Sequence, residues 1–213
     1  MTIKQRYEGV ISIFQEMMPD PKTELCYDTP FHLLLAVILS AQCTDKRINM
    51  VTPALYARYP EPGDMAASSE EEVYSYIKSV TFPNNKAKAL IKAARMIHEE
   101  YGDELPCDID KLMRLPGVGR KTANVMLSVV WNKSAMAVDT HVFRVSNRIG
   151  LTNDSPNPVA TEKTLVKYIP EELVARAHHW LILHGRYVCK ARKPECMECA
   201  IGDYCKSYNK IRN

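Results

Sequence analysis

The sequence predicts an all-α protein, and three observations carry that expectation. Apolar residues recur at the spacing of helix faces along most of the chain. No stretch alternates apolar and polar residues for long enough to make a half-buried strand. Helix punctuation falls where the periodic stretches begin and end, with capping residues at the starts and glycine or proline at the stops.

From the N-terminus, IKQRYEGVISIFQEMM (3–18) forms an amphipathic helix closed by Pro19 and Pro21. FHLLLAVILSA (31–41) is apolar on every side and too long for a core strand, so a buried helix is expected. Ser69 followed by Glu72 makes a capping-box pattern ahead of VYSYIKSV. Thr81-Phe82-Pro83-Asn84-Asn85 reads as a loop, and residues 86–101 as a helix stopped by Gly102. A short helix over 108–114 leads into Pro116-Gly117-Val118-Gly119, and the next runs from Arg120 to Trp131. Helices over 139–149, 159–168 and 171–184 follow, with the turn-rich TNDSPNP (152–158) between the first two.

With 213 residues the chain can bury a substantial core, and 46% apolar and 25% charged residues are ordinary for a globular protein. Its longest apolar run, LLLAVIL (33–39), is too short to cross a bilayer, and MTIKQRYEGV lacks the apolar core of a signal peptide. A cytoplasmic protein with reduced thiols and no membrane partner is expected. Net charge is only +3 but unevenly spread. Residues 119–148 hold five Lys/Arg against one acid, and residues 185–213 hold seven against three. A polyanion-binding face would look like this, and so would a solvated cluster of cations.

LPGVGRKTANVML (115–127) is too incomplete for a dinucleotide fingerprint or a P-loop, both of which also follow a strand, whereas DIDKLMRL here is helical. A helix–hairpin–helix fits better. Two glycines permit a tight turn and leave the amides of Val118 and Gly119 unpaired beside a helix N-terminus, where they hold a phosphate oxygen. A plain turn between packed helices is the alternative. In the same stretch, Lys121 suits a backbone contact to DNA, and Asp139 suits the N-cap of the following helix. Cys189, Cys196, Cys199 and Cys205 form a second cluster. Two disulfides do not fit a reducing compartment, while zinc and an iron–sulfur cluster both accept four thiolates and the spacing does not separate them. Cys26, Cys43 and Cys107 are expected as ordinary buried thiols.

LPGVGRKTAN, VDTHVFRVSNR, HHWLILHGRYVC, the four-cysteine loop, LSAQCTD (39–45) and NNKA (84–87) together resemble the endonuclease III family over nearly the whole chain. The resemblance implies a two-lobed helix-hairpin-helix DNA glycosylase architecture with a C-terminal iron–sulfur cluster loop. Residues 23–133 would form one helical domain, and residues 1–22 would pack with a cluster domain over 134–213. DNA would cross a cleft between them. The implied activity removes oxidised pyrimidines from duplex DNA and cleaves the abasic site by β-elimination. It runs through a Schiff base on Lys121, assisted by Asp139.

The same resemblance implies a 4Fe–4S cluster, rather than zinc, on the four cysteines, with Lys190, Arg192 and Lys193 displayed as a cationic loop. Gln42 and Phe82 would fill the hole left by a flipped nucleotide. Leu115, Gly117, Val118, Gly119, Arg120, Arg144 and Arg148 would contact the DNA. The implied partner is double-stranded DNA with damaged bases or abasic sites, met by a monomer at the nucleoid. SVTFPNNKA departs from the commoner pattern, with phenylalanine and proline where leucine and tyrosine often stand and Thr81 in place of a glycine. Three other functions compete. An adenine glycosylase would want an acid in LLLAVILSAQ, which has none; a thymine- or uracil-mismatch glycosylase would use the same scaffold; a non-catalytic DNA-binding module would not need both Lys121 and Asp139.

Overall fold

The computed structural model describes residues 1–212 and contains no strand among them. The chain divides into two compact units, Thr23–Trp131 and Met1–Lys22 together with the residues from Asn132 onward.

The first unit is built around α2 (Pro30–Leu39), whose residues from Phe31 to Leu39 are all buried. An evenly apolar helix can only sit at the centre, and α2 packs against α3 (Asp45–Arg58), α6 (Pro83–Tyr101) and α8 (Arg120–Trp131). α4 (Pro62–Ala66) and α5 (Glu70–Ile77) lie on α6, and α7 (Ile109–Arg114) pairs with α8. Two differences from the sequence reading have local causes. α6 begins at Pro83, inside the expected loop, because proline at the first helical position is already set for the helix. Ser69 caps α5 by accepting from the Glu72 amide, but the Glu72 carboxylate does not reach back to complete a capping box. It accepts instead from Ser68 and Arg58. α3 and α4 carry no expectation above; Pro53 inside α3 breaks the pattern that would announce a helix.

In the second unit, α1 (Ile3–Met17) contributes Tyr7, Val10 and Phe14 to a core completed from α9 (Thr140–Ile149), α10 (Pro158–Tyr168) and α11 (Val174–Tyr187). Two buried polar groups tie distant segments: the Tyr7 hydroxyl donates to the Leu151 carbonyl at 2.7 Å, and Trp180 Nε1 donates to the Met18 carbonyl at 2.7 Å. The expected helix over 171–184 is a 3₁₀ turn (Glu171–Leu173) running into α11. A final helix, α12, covers Lys206–Arg212. Among the described residues no helix is long and apolar enough to cross a membrane.

Burial on α11 pushes His179 and His184 from 6.5 down to about 4. The unfolded chain therefore takes up these protons at higher pH than the folded one does. Their contribution to stability is complete above pH 6.5 and is lost as the pH falls towards 4. Equilibrium unfolding followed across that window is expected to show stability falling with pH, with a shallower fall in His179→Gln.

Candidate functional site

The hairpin joins α7 to α8 through Leu115–Gly119. Leu115 and Val118 point their side chains inward, at 1% and 6% exposure, and the Val118 amide donates to the Leu115 carbonyl at 3.0 Å. This corrects the expectation that Val118 offers a free amide: the turn closes on itself there. Gly117 has φ +83, a conformation that favours glycine, and a Cβ there would stand 3.1 Å from Ala89 Cβ and 3.3 Å from Ile38 Cγ2, a tight fit. Gly119 differs. A Cβ there would meet nothing within 4 Å, so its backbone faces open space at the start of α8. The first amides of a helix have no intrahelical acceptor, and together with the helix dipole they favour an anion. Arg120 and Lys121 are exposed at this end.

Asp139 caps α9: its Oδ1 accepts from the Val142 amide at 2.8 Å. The capping role read from sequence is therefore realised, and it uses one oxygen of a half-buried carboxylate. Lys121 belongs to one compact unit and Asp139 to the other.

Among the described residues, six other than glycine have positive φ: Gln42, Phe82, Asp103, Asn132, Asp154 and Lys193. Asp and Asn tolerate that region through local hydrogen bonding, whereas other side chains pay about 1–2 kcal/mol each. The three without that excuse are Gln42, Phe82 and Lys193, all expected at the DNA. Strain of this kind persists only where surrounding contacts impose it. Phe82 is 60% exposed, an unusual position for a large apolar side chain at the start of a helix. The turns carrying Gln42 and Phe82 are joined, the Thr81 hydroxyl lying 3.1 Å from the carbonyls of both Ala41 and Gln42.

The four cysteines converge on one cavity, lined also by Ile149, His184, Val188, Ile201 and Tyr208. All four are free thiols. Burial and mutual repulsion with neighbouring cysteines push Cys196 and Cys199 up, so four thiolates here need cationic centres among them. Among the described residues no three His, Cys, Asp or Glu side chains converge on one metal ion. Four thiolates around a shared cavity suit a cluster whose iron atoms each take one sulfur.

Three groups that sequence reasoning placed elsewhere, or not at all, support this cavity. Arg144 donates to the carbonyls of Gly185 at 2.9 Å and Cys189 at 3.2 Å. Arg148 donates to those of Lys190 at 2.7 Å and Ala191 at 3.0 Å, with Cys189 Sγ 3.7 Å away. Both guanidiniums, expected at phosphates, thus have internal partners on the loop. His184 Nε2 lies 3.8 Å from Cys199 Sγ. Of the loop cations, Lys190 pairs with Glu195, while Arg192 and Lys193 are exposed. Nothing in local sequence signals these partnerships of Arg144 and Arg148, which join residues 41 to 45 positions apart.

A family model for the HhH-GPD superfamily base excision DNA repair protein matches residues 35–171, and one for the iron-sulfur binding domain of endonuclease III matches residues 189–205. Endonuclease III of Rickettsia conorii is 47% identical over 203 residues, covering 95% of this chain and 96% of its own length. That of Escherichia coli is 45% identical over 204 residues, covering 95% of each. Among solved structures, a trapped endonuclease III–DNA covalent intermediate matches with a TM-score of 0.93 at 43% identity over the full length of both chains. A thermostable thymine-DNA glycosylase, at TM-score 0.86 and 22% identity, shares the fold. The chain belongs to the endonuclease III family of base-excision DNA repair enzymes, which are DNA glycosylases with AP-lyase activity carrying a 4Fe–4S cluster.

Proposed function

We propose that Lys121 is the nucleophile that removes oxidised or ring-saturated pyrimidines from duplex DNA and then cleaves the strand. The observation that carries this reading is an exposed primary amine in the first turn of α8, beside the open backbone of Gly119. A phosphate held on those amides would bring a sugar to the amine. The endonuclease III of similar structure was trapped as a covalent DNA intermediate with an estranged adenine. Adenine partners thymine, so an estranged adenine fits excision of a damaged pyrimidine.

The chemistry follows from the amine. Its lone pair forms a C–N bond at C1′ as the glycosidic bond breaks, and the departing base takes the electron pair and a proton. The nitrogen sheds one proton in all, and its regained lone pair then expels the ring oxygen, which is protonated as the sugar opens, leaving an iminium, which a hydroxyl or thiol cannot form. The iminium acidifies the 2′-hydrogen; when a base removes it, the electrons expel the 3′-phosphate. Asp139 is the acidic partner, its charge stabilising the cation that grows on the sugar. One carboxylate oxygen is committed to the α9 cap, which fixes its orientation.

Gln42 and Phe82 are the side chains that enter the duplex, Phe82 as an apolar wedge between bases. Cys189, Cys196, Cys199 and Cys205 are the cluster ligands. When bound, the cluster supplies a rigid post for the loop, and Arg192 and Lys193 are the loop's phosphate contacts. The protein acts as a monomer on DNA inside the cell, at the nucleoid.

A duplex containing thymine glycol opposite adenine tests the function. Base release and a nick with a 3′ unsaturated aldehyde are expected, with undamaged and G·T-mismatched duplexes uncut. Binding without cleavage would leave only a DNA-binding module, and preference for the mismatch would move the enzyme to another specificity.

A further inference from the structure

Lys86 is a charged residue to which no role has yet been assigned, and it is buried at 7% exposure in the first turns of α6. An ammonium has three N–H donors, and this one meets three acceptors. They are the carbonyls of Leu39 at 2.8 Å and Ala41 at 2.7 Å, and Thr81 Oγ1 at 3.1 Å. Leu39 is the last residue of α2, where unpaired carbonyls and the negative end of the helix dipole accumulate. The cation is thus placed where buried positive charge is compensated. Burial by itself lowers the Lys86 pKa.

Thr81 completes the arrangement. Its hydroxyl oxygen accepts from Lys86, and its single proton is shared between the carbonyls of Ala41 and Gln42, each at 3.1 Å. Apart from Leu39, every acceptor is or borders a strained residue. Ala41 and Gln42 belong to the turn in which Gln42 has φ +55, and Thr81 immediately precedes Phe82 at φ +51. Neither turn has glycine to relax it, and Phe82 has no side-chain cap on α6 to hold it. A glycine at position 81 would have no hydroxyl to offer.

We infer that Lys86, buried, and Thr81, at the surface, form a strap that holds the Gln42 and Phe82 turns in one fixed register, making both positioning residues for insertion into the duplex. This rests on Gln42 and Phe82 being the inserting side chains. The strap acts by denying the two turns the relaxed conformations they would otherwise adopt, so that the two side chains enter the duplex as one preset unit.

Thr81→Val keeps the branched shape and removes the hydroxyl, so it is the primary variant; Lys86→Met is the second, and thermal unfolding checks that each is folded. Single-turnover base excision is measured on a thymine glycol in a fully paired duplex and on the same lesion inside an unpaired bubble. Thr81→Val is expected to slow excision from the duplex about tenfold, as misplacement of positioning groups does. On the bubble, where no stack must be opened, it should stay within about twofold of the parent. In a double-mutant cycle Thr81→Val should cost less than about twofold once Phe82→Ala is present, because the strap then has no wedge to position. Equal losses on duplex and bubble, or an undiminished loss in the Phe82→Ala background, would overturn the strap. If Phe82→Ala and Gln42→Ala themselves leave duplex excision unchanged, it is the assignment of the inserting residues that fails.

Discussion

Lys121→Gln is expected to abolish both base release and strand cleavage, with a loss of roughly ten thousandfold or more, as removal of a covalent nucleophile produces. Glutamine keeps length and polarity but has no amine lone pair to form the C1′ bond and no route to an iminium. Affinity for duplex DNA should change by less than about tenfold, because a single cation contributes one phosphate contact at most. The open space at Gly119 does not depend on the side chain at 121. Borohydride reduction of a reacting mixture gives the sharpest reading: the parent becomes covalently joined to DNA and the variant does not. An adduct persisting in Lys121→Gln would assign the Schiff base to another lysine.

Loss of the cluster is the second large effect. Cys199→Ser should yield protein without visible iron–sulfur absorbance and with the 189–205 loop released from its post. Duplex affinity is expected to fall by about tenfold or more, and the slope of log K against log salt to flatten by roughly two, the two contacts assigned to Arg192 and Lys193. Arg192→Ala and Lys193→Ala singly should each remove about one unit of slope with the absorbance intact, whereas Lys190→Ala should do less because Lys190 is already paired with Glu195. The Thr23–Trp131 unit has its own core and should keep its helices. At low salt and saturating enzyme, single-turnover excision by Cys199→Ser should therefore approach the parent rate. A chemical step still lost under those conditions would mean that the cluster loop does more than dock DNA.

Much of this was readable along the chain. The apolar-all-round stretch became the buried α2, Gly102 stopped α6, and Asp139 became the cap of α9, because each depends on neighbours within about one helical turn. α3 was not readable: Pro53 interrupts its pattern, and only packing against α2 and α5 keeps it helical. Of the site, Lys121, the four cysteines and the glycine hairpin announced themselves by motif. The Val118 amide did not, since pairing within a turn depends on how tightly the turn closes.

By itself, then, the sequence determined most of the helical segments, though not α3, α4 or α12, together with which residues could do the chemistry and which family the chain resembles, all of them properties of local spacing or ordered motifs. The tertiary structure alone decided what the buried and half-buried cations do. Lys86 reaches carbonyls 45 and 47 residues away, and Arg144 and Arg148 reach the cysteine loop 42 to 45 residues on. A lysine or arginine in a sequence is a charge seeking any acceptor. Its partner is settled only when folding excludes water and leaves particular carbonyls within its reach, here those at the end of α2 and at the start of the cysteine loop.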